Sequence, residues 1–104
     1  MSFDYRIIDD VIHSRVRLAI MSYLSTAREA EFVELKKALK VSDGNLSTHL
    51  KKLEDKGYVS VSKQFVENKP QTRIKVSDEG DAAFKSYVEG LAAMLGPSAN
   101  NKQN

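Results

Sequence analysis

The sequence predicts one small, mainly α-helical domain that contains a single β-hairpin. Its 104 residues are 41% hydrophobic and 29% charged, which is the length and composition of one globular core. Apolar residues recur at helical spacing in most of the chain, but between residues 58 and 76 they recur at every second position. The predicted order is helix, helix, helix, hairpin, helix. We expect one domain over residues 1–97, followed by a polar, disordered tail at 98–104.

The first two predicted helices are amphipathic. The first begins at Asp9, carries its apolar residues on one side as far as Leu24, and has two aspartates at the positive end of its dipole. The second begins at Phe32 and ends near Lys40.

The third predicted helix has a recognisable start and stop. Ser42 is placed to accept a hydrogen bond from a free backbone N–H of the first turn, so we expect the helix to run from about Asp43 to Lys56. Gly57 is placed to end it in a left-handed conformation. One side of this helix is apolar and is predicted to face the core; it consists of Leu46, Leu50 and Leu53.

The hairpin and the last helix follow. Residues 58–65 and 72–76 alternate as strands do, and the polar residues 66–71 between them are predicted to form the turn. Ser77 is a favourable N-cap for a final helix over about 78–95, and Gly96 and Pro97 are expected to stop that helix.

Composition argues against several classes of function. The chain has no cysteine, which excludes disulfides, thiolate metal sites and cysteine nucleophiles. Its two histidines, His13 and His49, show no ligand or catalytic spacing, so we expect neither an enzyme nor a metal or cofactor site. No apolar run approaches the roughly 20 residues of a membrane span. We therefore expect a cytoplasmic protein with no membrane partner.

The order helix, helix, helix, hairpin, helix is that of a winged helix-turn-helix domain. The segment FVELKKALKVSDGNLSTHLKKLEDKGYVSVSK, at residues 32–63, resembles the winged-helix transcription regulators of the MarR/ArsR type. The segment VSDEG, at residues 76–80, resembles the link between the second wing strand and the C-terminal helix of that family. The resemblance covers about residues 11–95. It implies a three-helix core, a β-wing over about 58–76 and a C-terminal dimerisation helix.

The side of the third helix that faces away from its leucines is short, polar and cationic. Such a surface suits a DNA groove, with the first turns probing base edges and the later lysines meeting phosphates. The candidate DNA-binding residues of this helix are Ser42, Gly44, Asn45, Ser47, Thr48, His49, Lys51 and Lys52. Several of them also have a structural alternative. Ser42 is first an N-cap, Gly44 and Asn45 suit an ordinary first helical turn, the lysines suit a solvated face, and His49 lies beside the core stripe.

The hairpin and the last helix supply two further candidate surfaces. Lys69 and Arg73 are placed near the predicted turn, from which they would reach an adjacent minor groove or its phosphates. The last helix carries more apolar residues than one side of a small core needs, and in the family the helices that flank the winged domain form the dimer. The predicted dimer residues are Phe84, Tyr87, Val88, Leu91 and Leu95. A monomer that uses this stripe internally is the alternative.

The predicted function is that of a sequence-specific regulator of transcription, without catalytic activity, that binds double-stranded DNA as a homodimer. A two-fold pair would place two recognition helices about 34 Å apart on a pseudo-palindromic site. The alternative is a winged-helix module that binds protein within a larger assembly, since fold does not determine function. The sequence does not decide whether a small-molecule effector binds.

Overall fold

The computed structural model describes residue 6 and residues 8–96. The predicted order of helices and hairpin is confirmed, and one short strand that was not predicted is added. The elements are α1 (Arg15–Ala27), β1 (Glu29–Glu31), α2 (Phe32–Leu39), α3 (Asp43–Asp55), β2 (Val59–Val66), β3 (Lys69–Val76) and α4 (Asp78–Leu95). Four helices and a small antiparallel sheet form a winged-helix fold. The predicted tail at 98–104 lies outside the described residues.

The first helix begins later than predicted. Its N-cap is Ser14, whose side chain accepts a hydrogen bond from the Arg17 backbone N–H, and the prediction of a start at Asp9 is wrong. The Asp9 carboxylate instead accepts hydrogen bonds from the backbone N–H groups of Val11 at 2.8 Å and Ile12 at 3.1 Å. A short polar side chain of this kind competes with helical hydrogen bonding and favours a turn. The N-terminal turn closes over the core, where Ile12 is fully buried.

The sheet has three antiparallel strands in the order β1-β3-β2. The unpredicted strand β1 pairs only with residues 73–75 of β3, and its central Ala30 is buried opposite Ile74. Three residues are too few to show an alternating pattern in the sequence, so β1 is defined only by its pairing partner.

The hairpin turn is shorter than predicted. The strands extend to Val66 and resume at Lys69, and the turn consists of Glu67 and Asn68, with φ of 53° and 67°. Two successive positive φ values are those of a type I′ turn, which matches the twist of the strands it joins. Pro70 therefore lies within β3; β1 does not extend that far, so one side of the strand is unpaired there and the missing N–H is tolerated.

The core lies between the helices and the inner face of the sheet. The apolar side of α3 packs inward as predicted, and Leu46, Leu50 and Leu53 are 0%, 3% and 0% exposed. The buried residues of the hydrophobic core come from every helix and strand as well as the N-terminal turn. They are Ile12, Ile20, Met21, Leu24, Ala30, Leu35, Leu46, Leu50, Leu53, Tyr58, Val59, Ile74, Val76 and Tyr87.

The last helix matches its predicted bounds. The Ser77 side chain accepts a hydrogen bond from the Gly80 backbone N–H at 2.9 Å, and it donates one to the Gly57 carbonyl at 2.6 Å. One turn into α4, Gly80 lies directly against the backbone of Tyr58, since a Cβ at this position would be 2.1 Å from the Tyr58 carbonyl oxygen. This contact sets how closely α4 approaches the start of the wing.

Candidate nucleic-acid interface

The third helix is held with its polar side outward. The Ser42 side chain accepts a hydrogen bond from the Asn45 backbone N–H at 3.1 Å, which confirms its role as the N-cap. Because the three leucines are buried on one side, the opposite side is turned to solvent. Seven of the predicted DNA-binding residues are exposed there: Ser42, Gly44, Asn45, Ser47, Thr48, Lys51 and Lys52.

The two lysines of this surface differ in their surroundings. Lys51 Nζ lies 2.9 Å from Asp55 Oδ1 one turn along the helix, and this hydrogen bond raises the pKa of Lys51. Lys52 forms no ion pair with any of the described residues, so its charge is uncompensated. At the other end of the helix, Asp43 Oδ1 lies 2.7 Å from Lys36 Nζ, which offsets the negative charge of the first turn.

The eighth predicted residue, His49, lies at the edge of this surface and is only partly exposed. A guanidinium N–H of Arg17 lies 2.9 Å from His49 Nδ1. Burial lowers the pKa of His49, and the charges of Arg17 and Lys52 lower it further. The ring is therefore neutral near pH 7, with Nδ1 accepting from Arg17 and the proton on Nε2.

Arg17 joins the N-terminal turn, residues 9–13, and α1 to the exposed polar side of α3, which we call the recognition surface. Its Nε donates a hydrogen bond to the Val11 carbonyl, and its Nη1 donates one to His49 Nδ1. From the sequence, Arg17 is only a weak candidate for a DNA contact, because Asp9 and Asp10 lie one to two helical turns away and would neutralise it. The structure pairs it with neither, since the Asp9 carboxylate accepts hydrogen bonds from backbone N–H groups and from the Tyr58 hydroxyl.

The two predicted wing contacts lie in different places. Lys69 is exposed and directly follows the two-residue turn, at the wing tip. The sequence predicts that Arg73 lies near the turn. This is wrong, because the turn ends at residue 68 and not at 71. Arg73 Nη2 lies 3.0 Å from Glu29 Oε2, so the guanidinium is paired with β1 in the middle of the sheet.

A groove of about 450 Å³ separates α3 from the wing. It brings Ser47 and Lys51 of the recognition surface opposite Lys63 of β2. Apolar side chains form part of its lining, together with the acidic Asp43 and Glu54. The full lining is Phe32, Asp43, Ser47, Leu50, Lys51, Glu54, Val61, Lys63 and Thr72.

The predicted dimer residues of α4 divide into three groups by exposure. Tyr87 is 4% exposed, and its hydroxyl lies 2.9 Å from His13 Nδ1, so its side chain belongs to the core of the single chain. The prediction that Tyr87 lies at the dimer surface is corrected, because the N-terminal turn covers this side of α4. Phe84 and Leu91 are half-buried against the core, whereas Val88 and Leu95 are 47% and 61% exposed.

Two features of other protein classes, a metal-ligand cluster and a membrane-spanning helix, are absent from the described part of the chain. Within it, no three His, Asp or Glu side chains are grouped so that they could hold a metal ion. None of the helices in this part has the length and apolar character to span a bilayer.

Comparison with known proteins agrees with this architecture. The model of the winged helix DNA-binding domain family matches residues 16–95. An uncharacterised protein of Methanocaldococcus jannaschii is 40% identical over 78 residues, which cover 75% of this chain and 85% of the relative.

Solved structures give the same result. A transcriptional regulator homologue from Pyrococcus horikoshii superimposes with a TM-score of 0.81 at 31% identity, covering 86% of this chain and 90% of the other. The fold is also that of MarR from Escherichia coli, with a TM-score of 0.64 at 21% identity, covering 91% of this chain and 70% of the other. The resemblance to regulators of the MarR and ArsR type is thereby confirmed. From α1 to the end of α4, the chain belongs to the winged helix DNA-binding domain family.

Proposed function

We propose that this protein regulates transcription, without catalytic activity, by binding a specific double-stranded DNA site as a homodimer. The observation that supports this most directly is the outward side of α3, where small polar side chains at the N-terminal end give way to lysines. A helix of this kind enters the major groove with its first turns against base edges. Asn45 and Thr48 would read bases, since Asn pairs well with adenine and Thr contacts either a base or a thymine methyl.

Phosphate contacts would come from the start of α3 and from its basic residues. The N-terminus of the helix presents free backbone N–H groups and a positive dipole, which together favour phosphate. Lys52 supplies an uncompensated cation at one edge, and Lys69 supplies another at the wing tip. Arg73 contributes less in this proposal, because a phosphate would compete with its ion pair to Glu29.

The homodimer is supported by the apolar residues that α4 leaves at the surface. Val88 and Leu95 are exposed and adjoin the half-buried Phe84 and Leu91. A domain of this size buries a small fraction of its surface on folding, so a shared apolar interface would add stability. A two-fold interface uses the same patch on both subunits, and it would relate the two recognition surfaces by the same two-fold axis as the half-sites of an inverted repeat.

The test is selection of bound sequences from a random duplex pool at physiological salt, using the full chain. We expect enrichment of an inverted repeat whose half-sites are about one DNA turn, roughly 34 Å, apart. Enrichment of a single half-site would contradict the dimer but not sequence-specific binding. Retention of duplexes without any enrichment would contradict site-specific recognition and favour a non-specific binder.

The alternative function, a module that binds another protein, would require a different surface on α3. Such a module presents exposed apolar residues at its contact surface. The exposed large hydrophobic residues of the described chain lie on α2, the wing and α4, and none lies on α3. Failure of the protein to retain any duplex would make this alternative the better proposal.

A further inference from the structure

The tip of the wing carries an exposed aromatic ring. Phe65 is 76% exposed, the most exposed of the large hydrophobic residues in the described chain. It pairs across the hairpin with Pro70, and the next residue, Val66, is 41% exposed. An isolated exposed apolar side chain needs no explanation, but this one stands with two apolar neighbours at the end of a projecting hairpin.

The strand register shows which way Phe65 faces. Side chains alternate along a strand, so Phe65 shares a face with Val59, Val61 and Lys63. Val59 is buried in the core, and Val61 and Lys63 line the groove between the wing and α3. Phe65 therefore continues the face of the wing that is turned toward the recognition surface.

The length of the wing suits a contact one groove away from α3. Phe65 lies six residues beyond the buried Val59, and at about 3.4 Å per residue this places it about 20 Å out from the core. Adjacent major and minor grooves are separated by half a DNA turn, about 17 Å. With α3 in a major groove, the tip would reach the neighbouring minor groove.

The charges around the ring favour a polyanion. Lys63 lies two residues before Phe65 on the same face, and Lys69 lies immediately after the turn. The acidic group of the tip is Glu67, in the turn itself. By the strand register Lys69 pairs with Val66 and so lies on the face opposite Phe65, which gives each face of the tip one cation. An apolar side chain on a tip with a cation on each face matches a minor groove, whose floor accepts apolar wedges and whose two walls carry phosphates.

We propose that Phe65 is an apolar wedge that enters the minor groove beside the recognised site and partly unstacks a base step. This inference rests on the proposed DNA binding and extends it. Pyrimidine–purine steps unstack more easily than A-tracts, so the wedge would select flexible steps in the flank of the site without a hydrogen bond to a base.

The first experiment uses a tryptophan at the tip as its probe. The protein has no tryptophan, so Phe65→Trp introduces a single reporter at an exposed position. The matched control is Gln64→Trp, on the neighbouring residue and the opposite face of the same strand. We expect a duplex of about three turns to reduce acrylamide quenching of the Phe65→Trp emission several-fold and to change the control little.

The second experiment removes the ring. Phe65→Ala should weaken duplex binding about five- to tenfold, as loss of an aromatic contact to a base does, and should leave the salt dependence unchanged because no charge is lost. It should also abolish the preference for a flank with a TA step over a flank with an A-tract. Circular dichroism checks the fold of the variant. We expect the fold to be unchanged, because the Phe65 side chain is exposed and packs little against the core.

The outcomes separate the wedge from DNA binding itself. A wild-type protein that binds no duplex would overturn both proposals. Duplex binding that leaves Phe65→Trp as accessible as Gln64→Trp, or that is unaffected by Phe65→Ala, would overturn the wedge alone. A Phe65→Trp emission that changes with protein concentration in the absence of DNA would also overturn it, because a second copy would then cover the tip.

Discussion

Lys51 and Lys52 are adjacent in sequence, yet their charges face different surroundings. Lys51 is paired with Asp55, whereas Lys52 has no acidic partner among the described residues. A phosphate near Lys51 must compete with a carboxylate, and the carboxylate itself repels the phosphate. The two side chains therefore cannot contribute equally to binding a polyanion.

Substitution of each lysine tests this difference. Lys52→Ala should weaken binding to all duplexes alike and reduce the slope of log K against log salt by about 1, as loss of one phosphate contact does. Lys51→Ala should reduce the slope less, because Asp55 already offsets the charge. Titrations at several salt concentrations measure both slopes, and equal slopes for the two variants would contradict this interpretation.

Asn45, unlike the two lysines, should determine which DNA sequence is bound. Asn45→Ala should reduce discrimination between the selected site and a random duplex by about 1–3 kcal/mol, the worth of a good bidentate contact to a base. The measurement is the ratio of the two dissociation constants. If Asn45→Ala lowers both affinities by the same factor, as Lys52→Ala is expected to do, Asn45 is a phosphate contact.

His49 should make stability depend on pH. Burial, with the charges of Arg17 and Lys52, lowers the pKa of His49 in the folded state. The unfolded chain therefore takes up this proton more readily, so stability is retained above the unfolded value near 6.5 and is lost as pH falls through the folded pKa. Thermal unfolding of wild type and His49→Gln between pH 7.5 and 5 should show a smaller loss in the variant. A parallel loss in both would assign the pH dependence to carboxylates.

At the scale of elements, the wing and α4 are positioned by one close contact. Gly80 in the first turn of α4 lies against the Tyr58 carbonyl, one residue before β2 begins. Rotation or displacement of α4 would move the apolar residues Val88 and Leu95 relative to the wing. Because glycine has no side chain, α4 can approach the start of the wing this closely.

Two alanine substitutions at glycine test this contact. Gly80→Ala places a Cβ 2.1 Å from the Tyr58 carbonyl oxygen and should destabilise the protein by about 1–3 kcal/mol, since backbone must move. Gly44→Ala is the matched control in the first turn of α3, where a Cβ meets nothing within 4 Å. It should be neutral or stabilising by up to about 1 kcal/mol. Urea unfolding measures both, and equal stabilities would contradict the close contact.

At the scale of the whole molecule, the candidate DNA-binding surface and the candidate dimer surface lie on different elements. The polar, cationic side of α3 and the wing tip form one region, and the exposed residues of α4 form another. A homodimer formed through α4 would leave both recognition surfaces free for one DNA molecule. Binding to an inverted repeat is then a consequence of the protein's own symmetry.

One charge on α4 should separate dimerisation from folding. Val88→Glu places a carboxylate in the middle of the proposed interface and should shift the protein from dimer to monomer in sedimentation. Val33→Glu is the control, because Val33 is 53% exposed on α2 and outside the proposed interface. A wild type that sediments as a monomer, or a Val88→Glu variant that remains a dimer, would contradict the interface.

Local signals in the sequence were sufficient to predict the helices, the caps at Ser42 and Ser77, and which side of α3 faces the core. Each of these depends on residues within one or two turns, so periodicity and capping chemistry decide them. The start of α1 was predicted wrongly, because Asp9 is equally suited to a helix start and to the turn that it forms. The turn of the hairpin was predicted too long, because Pro70 is unfavourable in a strand unless the neighbouring strand is absent there.

What the sequence by itself determined is the order of the elements and which side of the recognition helix faces outward, because these follow from the spacing of apolar residues along the chain. Only the tertiary structure decided which of the predicted contact residues are free to meet DNA or a second subunit. It buried Tyr87 under the N-terminal turn, paired Arg73 with Glu29 through the unpredicted strand β1, and left Phe65 exposed at the tip of the wing. Each outcome depends on a partner distant in sequence, and no periodicity along the chain encodes which distant residues will meet.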